Sequence, residues 1–218
     1  MIKRAACDSE QVDRRLPLPA PLLARARSVR LLGLAGAPGA GKSTLASAVA
    51  AAVPGAVVVP MDGFHLRTAR LAELGLVDRR GAVETFDAAD YVALLRKISD
   101  RSGTVYAPSF DRTNEEPVRD AITVAPDAPL VVTEGNYLLL DDYPWPEVRT
   151  ILGEIWFVEV PESVRVQRLV DRFVAHGMNP AVAAERVRVG SDAVNARLVA
   201  ATRHRADLVV SPSGVVME

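Results

Sequence analysis

The chain of 218 residues contains one cysteine, three histidines and, among its 26 basic residues, only three lysines. Cys7 cannot close an internal disulfide and has no second thiol or histidine near it in sequence, which excludes a disulfide-stapled scaffold and suits a reducing cytoplasm. Long apolar runs are missing too. The longest uncharged stretch, Ser43 to Met61, has 19 residues, but Pro54-Gly55 divides it, so it reads as a helix followed by a strand rather than a membrane span. The opening MIKRAACDSEQVDRR lacks the continuous apolar segment of a signal peptide, and its acids argue against an organelle transit peptide. No charge of one sign prevails: 26 basic against 27 acidic residues leave a formal charge of -1, so no global positive field exists to hold a nucleic-acid backbone. Any anion must be met by a local site. His65 and His176 have no partners at metal-ligand spacing, so no zinc site is expected. Aromatics make up only 5%, and Trp145 and Trp156 are expected in the core rather than stacked on a base.

What is present is ordinary globular composition, 49% apolar and 24% charged, in a length suited to one domain. Residues 1–28 read as a lead-in, an amphipathic helix followed by LPLPAPLL, whose prolines block its continuation. The domain then runs from 29 to 218. Strands are predicted at Val29 to Leu34, Ala56 to Val59, Ala121 to Val124, Leu130 to Thr133, Glu154 to Val160 and Ala206 to Val210. Helices fall between them at Lys42 to Val53, at Phe86 to Ser99 with Asp87 as cap, and from Pro161 to Thr202 with breaks at Gly177 to Pro180 and near Gly190. This alternation implies an α/β fold, a mostly parallel five-stranded sheet covered by helices on both faces.

Between the first strand and the first core helix lies Gly36-Ala-Pro-Gly39-Ala40-Gly41-Lys42-Ser43-Thr44, which satisfies G-x-x-x-x-G-K-[ST] in the context that motif requires. Glycines let successive N–H groups curl round a phosphate, and the helix N-terminus adds positive charge. Lys42 then reaches the β- and γ-phosphates and the Ser43 hydroxyl can ligate Mg²⁺. The plainer alternative is a small-residue turn in a chain rich in alanine and glycine. No G-x-G-x-x-G dinucleotide fingerprint fits the stretch.

Two carboxylates close strands. Asp62 follows the second strand, and because parallel strands open on one crevice at their C-terminal ends, it should face the phosphate loop and accept a hydroxyl proton, unless it merely caps the turn after it. Glu134 ends LVVTE, the form of a carboxylate beside Mg²⁺; its alternative role is a buried partner for an arginine. Arg165, Arg168 and Arg172 lie at i, i+3 and i+7 on one helix, a stripe suited to a lid over a transferred phosphoryl group or simply to a solvated face. Of these Arg165 is expected to tolerate lysine.

Beyond the phosphate loop, MDGFHL, RRGAVETFD, VYAPSFDR, TEGNYLLL, DRFVAHG and TRHRADLVV resemble the P-loop kinase family that joins uridine kinase, phosphoribulokinase and bacterial type I pantothenate kinase, over roughly Val29 to Val210. The subgroup it most resembles is the bacterial nucleoside or nucleotide kinases, also called fructose-transport-system kinase-like. The resemblance implies a P-loop nucleoside-triphosphate hydrolase fold with a helical lid at about 161–190. It also implies that Lys42 and Ser43 bind ATP and Mg²⁺, that Asp62 is the catalytic base, and that Glu134 supports the metal, with Asp62 a further candidate metal ligand. Arg172, in Asp171-Arg172-Phe173, matches the lid arginine of the pantothenate kinase pattern Asn-Arg-Phe. Thr202-Arg203-His204-Arg205-Ala206 is similar to Thr-Arg-x-Arg-Ala near the adenine, which adds Arg203 to Gly36, Gly39, Ala40, Gly41, Thr44 and Arg168 on the nucleotide side.

The acceptor motif P-x-Y-D appears as Pro108-Ser109-Phe110-Asp111, without the tyrosine hydroxyl, and the asparagine-rich pantothenate segment shrinks to Asn195. The acceptor is therefore expected to be a nucleoside or sugar-like alcohol, neutral or once charged, near His65, Arg80, Tyr106, Asp111, Arg112, Glu134 and Tyr137. A pantothenate-like or sugar-phosphate acceptor is the alternative. The rival class is a nucleotide switch or ATPase acting through a partner, yet no N-K-x-D tetrapeptide occurs. Expected partners are a small-molecule substrate without nucleic acid or membrane, the choice between monomer and homodimer staying open.

Overall fold

The computed structural model describes residues 18–217; Cys7 and the amphipathic helix expected before LPLPAPLL lie outside them. Helices are α1 (Ala20–Arg27), α2 (Lys42–Ala52), α3 (Thr68–Glu73), α4 (Ala88–Asp100), α5 (Pro146–Ile151), α6 (Glu162–Ala175), α7 (Pro180–Val189) and α8 (Ser191–Ala200). Strands are β1 (Leu31–Ala35), β2 (Val57–Pro60), β3 (Val105–Asp111), β4 (Glu116–Val124), β5 (Val131–Gly135), β6 (Glu154–Val158) and β7 (Leu208–Val210). Five of them form one sheet in the order β2-β5-β1-β6-β7, parallel throughout.

The unbroken apolar runs become strands buried on both faces, as a parallel sheet between helices demands. Alternation along each strand sorts the side chains into two cores. Leu31, Val131, Ile155 and Phe157 point to one face, where Tyr91, Leu95 and Ile98 of α4 and Val148 of α5 cover them. Leu32, Leu34, Val132, Trp156 and Val158 point to the other, against Leu45, Ala46 and Val49 of α2. Both tryptophans are buried, Trp145 in the first core and Trp156 in the second. The long uncharged run becomes α2 and β2, and among the described residues no helix is long and apolar enough to cross a membrane.

One expectation needs correction. The prolines of LPLPAPLL start a helix instead of only stopping one: Pro19 precedes α1 and Pro21 sits in its first turn, where the missing N–H costs nothing. Leu22 and Ala26 of that helix are buried in the second core, so the latter part of the lead-in packs on the domain. The strand predicted at Ala121 to Val124 is present, outside the main sheet. It is the end of β4, which pairs antiparallel with β3 in a separate hairpin. VYAPSFD forms β3, an element hidden from periodicity because Pro108 interrupts it and its faces are only half-buried. A bulge between Ala107 and Ser109 accommodates that proline.

Candidate active site

The site lies at the C-terminal ends of β1, β5 and β2. β1 and β6 are neighbours on one side and β1 and β5 on the other, so the loop after β1 opens at the crevice where strand order reverses. Gly41 adopts φ +98° as the residue before α2, a left-handed conformation that lets the loop turn into the helix. At Gly39, φ +82°, a Cβ would lie 2.8 Å from the Arg165 carbonyl oxygen, so only glycine lets the loop pass under α6. Gly36, Ala40 and Thr44 complete the loop and the first turn of α2. The local backbone thus forms the cradle that the motif predicts, with glycine where a side chain would fill it.

Lys42 opens α2 and is buried. Its Nζ donates to the carbonyl oxygens of Gly36 at 2.9 Å and Ala37 at 3.2 Å and to Oδ1 of Asn136 at 2.7 Å. Burial lowers its pKa, while Glu134 and Asp62 oppose that shift. Asn136 was not singled out from sequence. Its signal was position, two residues beyond Glu134 in TEGNY, on the same side of the chain.

Register explains how the carboxylates meet. Glu134 is paired with Leu34 of β1 and with Pro60 of β2, so the phosphate loop and Asp62 each begin just beyond it on either side. Ser43 Oγ donates to Glu134 Oε1 at 2.8 Å. Burial raises the Glu134 pKa and Asp62 adds to that, while Lys42 lowers it. Asp62 sits in the short turn Met61–Phe64. That turn is pressed on β5, since a Cβ on Gly135 would lie 2.6 Å from Met61 Cβ. Asp62 is held across the crevice by Arg112, whose Nη2 is 2.9 Å from Oδ2.

Around Asp62 the acceptor-side residues divide. His65 Nδ1 lies 2.8 Å from the Asp62 carbonyl oxygen, with its ring between Phe86 at 4.0 Å and Phe110 at 4.6 Å between centroids; burial lowers its pKa, with Asp62 opposing. Tyr137 is buried and donates its hydroxyl to the Gly81 carbonyl oxygen, which also accepts from Asn195 Nδ2 at 2.9 Å. Burial raises the Tyr137 pKa.

Three residues fill other roles than expected. Arg80 is taken up by Thr68 Oγ1 and the Glu115 carbonyl oxygen, each at 2.6 Å, and so ties α3 to the hairpin tip. Asp111 accepts from the amides of Thr113 at 2.8 Å and Asn114 at 3.3 Å and shapes the hairpin turn; those bonds hold its pKa low. Tyr106 is 56% exposed and pairs with Thr123, at the end of the hairpin remote from Asp111. It does not join the others.

The arginine stripe also divides. Arg172 is exposed, and among the described residues its guanidinium makes no hydrogen bond or ion pair; it lies 5.8 Å from the Phe173 ring centroid and shares the crevice with Arg112, Asp62 and Asp192, where partial desolvation lowers its pKa and Arg112 lowers it further. Arg168 Nη1 donates to the Ala40 carbonyl oxygen at 3.3 Å. Arg165, expected to be dispensable, is only 4% exposed, pairs with Glu162 and donates to the Pro38 carbonyl oxygen at 3.2 Å. Arg165 and Leu169 stand one turn apart on the buried face of α6, which spacing alone could not orient. Arg203 pairs with Glu159 at 3.2 Å, just beyond β6. Among the described residues no three histidine, cysteine, aspartate or glutamate side chains gather as a metal cage.

No family model matches the chain. It is 37% identical over 145 residues to an ATP-dependent kinase-like protein, notR', of Aspergillus versicolor, covering 62% of this chain and 84% of that one. Over 161 residues it is 38% identical to a Schizosaccharomyces pombe protein provisionally named uridine kinase, 68% of each chain being covered. A crystal structure from Silicibacter sp. TM1040, provisionally named fructose transport system kinase, superposes with a TM-score of 0.79 at 37% identity, over 86% of this chain and 98% of that one. The chain therefore belongs to the P-loop kinase family of the uridine kinase, phosphoribulokinase and pantothenate kinase type, in its fructose-transport-system kinase-like subgroup. It is an ATP-dependent kinase.

Proposed function

We propose that the protein transfers the γ-phosphoryl group of ATP to a hydroxyl of a small metabolite, with a nucleoside or sugar-like alcohol as acceptor and Asp62 as general base. The observation that carries this reading is the convergence of Lys42, Asp62, Glu134, Arg112 and Arg172 on one crevice beside the phosphate loop. The acceptor hydroxyl gives its proton to the Asp62 carboxylate while its oxygen forms a bond to the γ-phosphorus. The bond from that phosphorus to the β–γ bridging oxygen breaks, and its electron pair leaves on ADP. Lys42 and Arg172 stabilise the charge that spreads over the transferring group. The loop amides hold the phosphates, and Arg168 and Arg203 flank the nucleotide.

The residues suit a divalent cation held largely through phosphates. One hydroxyl and one buried carboxylate, Ser43 and Glu134, are already in hydrogen-bond contact, and Mg²⁺ seldom takes an all-protein cage. Mg²⁺ bound there would neutralise phosphate charge. Asp62, held by Arg112, is read as the base rather than a ligand.

The test is release of ADP in the presence of nucleosides, sugars, sugar phosphates and vitamins. Release that requires one of these alcohols, with the matching phosphomonoester formed, is the expected result. Equal release without any acceptor would make the protein an ATPase.

A further inference from the structure

We propose that Arg112 selects the acceptor, and that the acceptor alcohol carries an anionic group, a carboxylate or a phosphate, which takes the Arg112 guanidinium over from Asp62. The inference rests on Asp62 being the base. In the protein alone, one oxygen of Asp62 accepts from Arg112 Nη2 at 2.9 Å. An alcohol that gives its proton to Asp62 must therefore arrive beside a guanidinium with five N–H donors in a fixed fork, of which only Nη2 has a partner among the described residues. A neutral alcohol offers that fork nothing it prefers to a carboxylate. An anionic acceptor does.

Arg80, the other arginine expected on this side, and its neighbour Arg79 are engaged elsewhere. Arg79 pairs with Glu84 at 2.7 Å, and Arg80 braces α3 against the hairpin. Of Lys42, Arg172 and Arg112, which share the crevice, the first two are read as serving the transferring phosphoryl group, which leaves Arg112 for the acceptor. Its side chain is 54% exposed, so it can swing, while the Asp111 turn fixes the backbone beside it at the hairpin tip. Recognition and release of the base then become one event. An anionic acceptor draws Arg112 off Asp62 Oδ2 and opens that oxygen to the hydroxyl. Water carries no anion and leaves the pair closed, which restrains hydrolysis of ATP.

The test is calorimetric binding to the full chain saturated with Mg²⁺ and a non-hydrolysable ATP analogue. Three matched series serve as probes: glycerol, glycerate and glycerol 3-phosphate; glucitol, gluconate and glucitol 6-phosphate; uridine, its 5′-carboxylate and its 5′-monophosphate. At least one anion should bind about tenfold or more tightly than its neutral counterpart, the scale of a charge-assisted hydrogen bond. Arg112→Gln should remove that preference while the affinity for the nucleotide analogue stays within about twofold. The leading member, carboxylate or phosphate, identifies the anion. The proposal is overturned if no anion outbinds its neutral counterpart or if the preference survives in Arg112→Gln. Acceptor-independent ADP release would instead count against the kinase reading itself, so the two failures are separable.

Discussion

Lys42 is one of three lysines in the chain, and its ammonium is buried among two loop carbonyls and Asn136. Its bonds to its own loop keep the cradle in shape before a phosphate replaces them. Lys42→Ala should lower kcat/KM by about 10²- to 10³-fold, the cost of one preorganised donor, and a thermal melt alongside the kinetics should show a folded protein. A folded variant with full activity would remove the phosphate-loop argument. Arg172 differs in kind, being exposed, with a guanidinium that makes no hydrogen bond among the described residues. Because an ammonium cannot reproduce the planar fork, Arg172→Lys should lower kcat by about tenfold or more while leaving the KM for ATP nearly unchanged. An unaltered kcat would confine Arg172 to the lid surface. Lys42, Ser43, Asp62 and Glu134 were legible because phosphate chemistry fixes their spacing from glycines and strand ends. The Arg112–Asp62 pair was not, since 50 residues separate its members and only the packing of the hairpin joins them.

The elements around these residues hold them by close approach. The hairpin of β3 and β4 rests on the Asp62 turn, where a Cβ on Gly63 would lie 2.4 Å from the Pro108 carbonyl oxygen. Behind that turn, Gly135 leaves room for Met61. Gly135→Ala should therefore cost about 1–3 kcal/mol, the range for overpacking, and reduce kcat by displacing Asp62; chemical denaturation with parallel kinetics checks both. Full stability would mean that Met61 repacks without cost. α6 bears on the loop through Arg165, the opposite of the tolerance expected from the sequence. Arg165→Lys should lower stability by about 1–2 kcal/mol, the order of a lost hydrogen bond to a charged donor, and raise the KM for ATP, whereas a silent substitution would return it to the solvated face. The helices of 161–202 and the strands of the main sheet were legible because an apolar stripe and unbroken apolar runs announce them. β3 and β4 were less so. Their burial is partial, Pro108 breaks the pattern, and what fixes them is contact with Gly63 and α4 rather than their own periodicity.

At the scale of the whole molecule, the sheet order puts β1 at the centre, flanked by β5 and β6, so three strand ends deliver the phosphate loop, Glu134 and Glu159 to one edge. The edge strand β7 is fastened next to Asp207, which accepts from the Ile155 amide at 2.7 Å and from Arg149 of α5. The Arg149 bond, chiefly, holds the Asp207 carboxyl below its ordinary 3.8. With the folded pKa below the unfolded one, its contribution is fully present above about pH 4 and is lost as pH falls through the folded value. Asp207→Asn should accordingly flatten the acid limb of a melting-temperature profile below that pH and leave its slope near neutrality unchanged; an identical acid limb would show that the pair adds no net stability.

The central claim is that Asp62 removes a proton from an acceptor alcohol in a site whose nucleotide half is built separately. Single-turnover transfer by Asp62→Asn, with ATP and acceptor saturating, measures this most directly. The rate should fall by about 10²-fold or more, in line with general-base contributions, while nucleotide affinity stays within about twofold. Transfer at the parent rate would contradict the assignment, and loss of nucleotide binding with turnover intact at saturation would make Asp62 part of the nucleotide site instead.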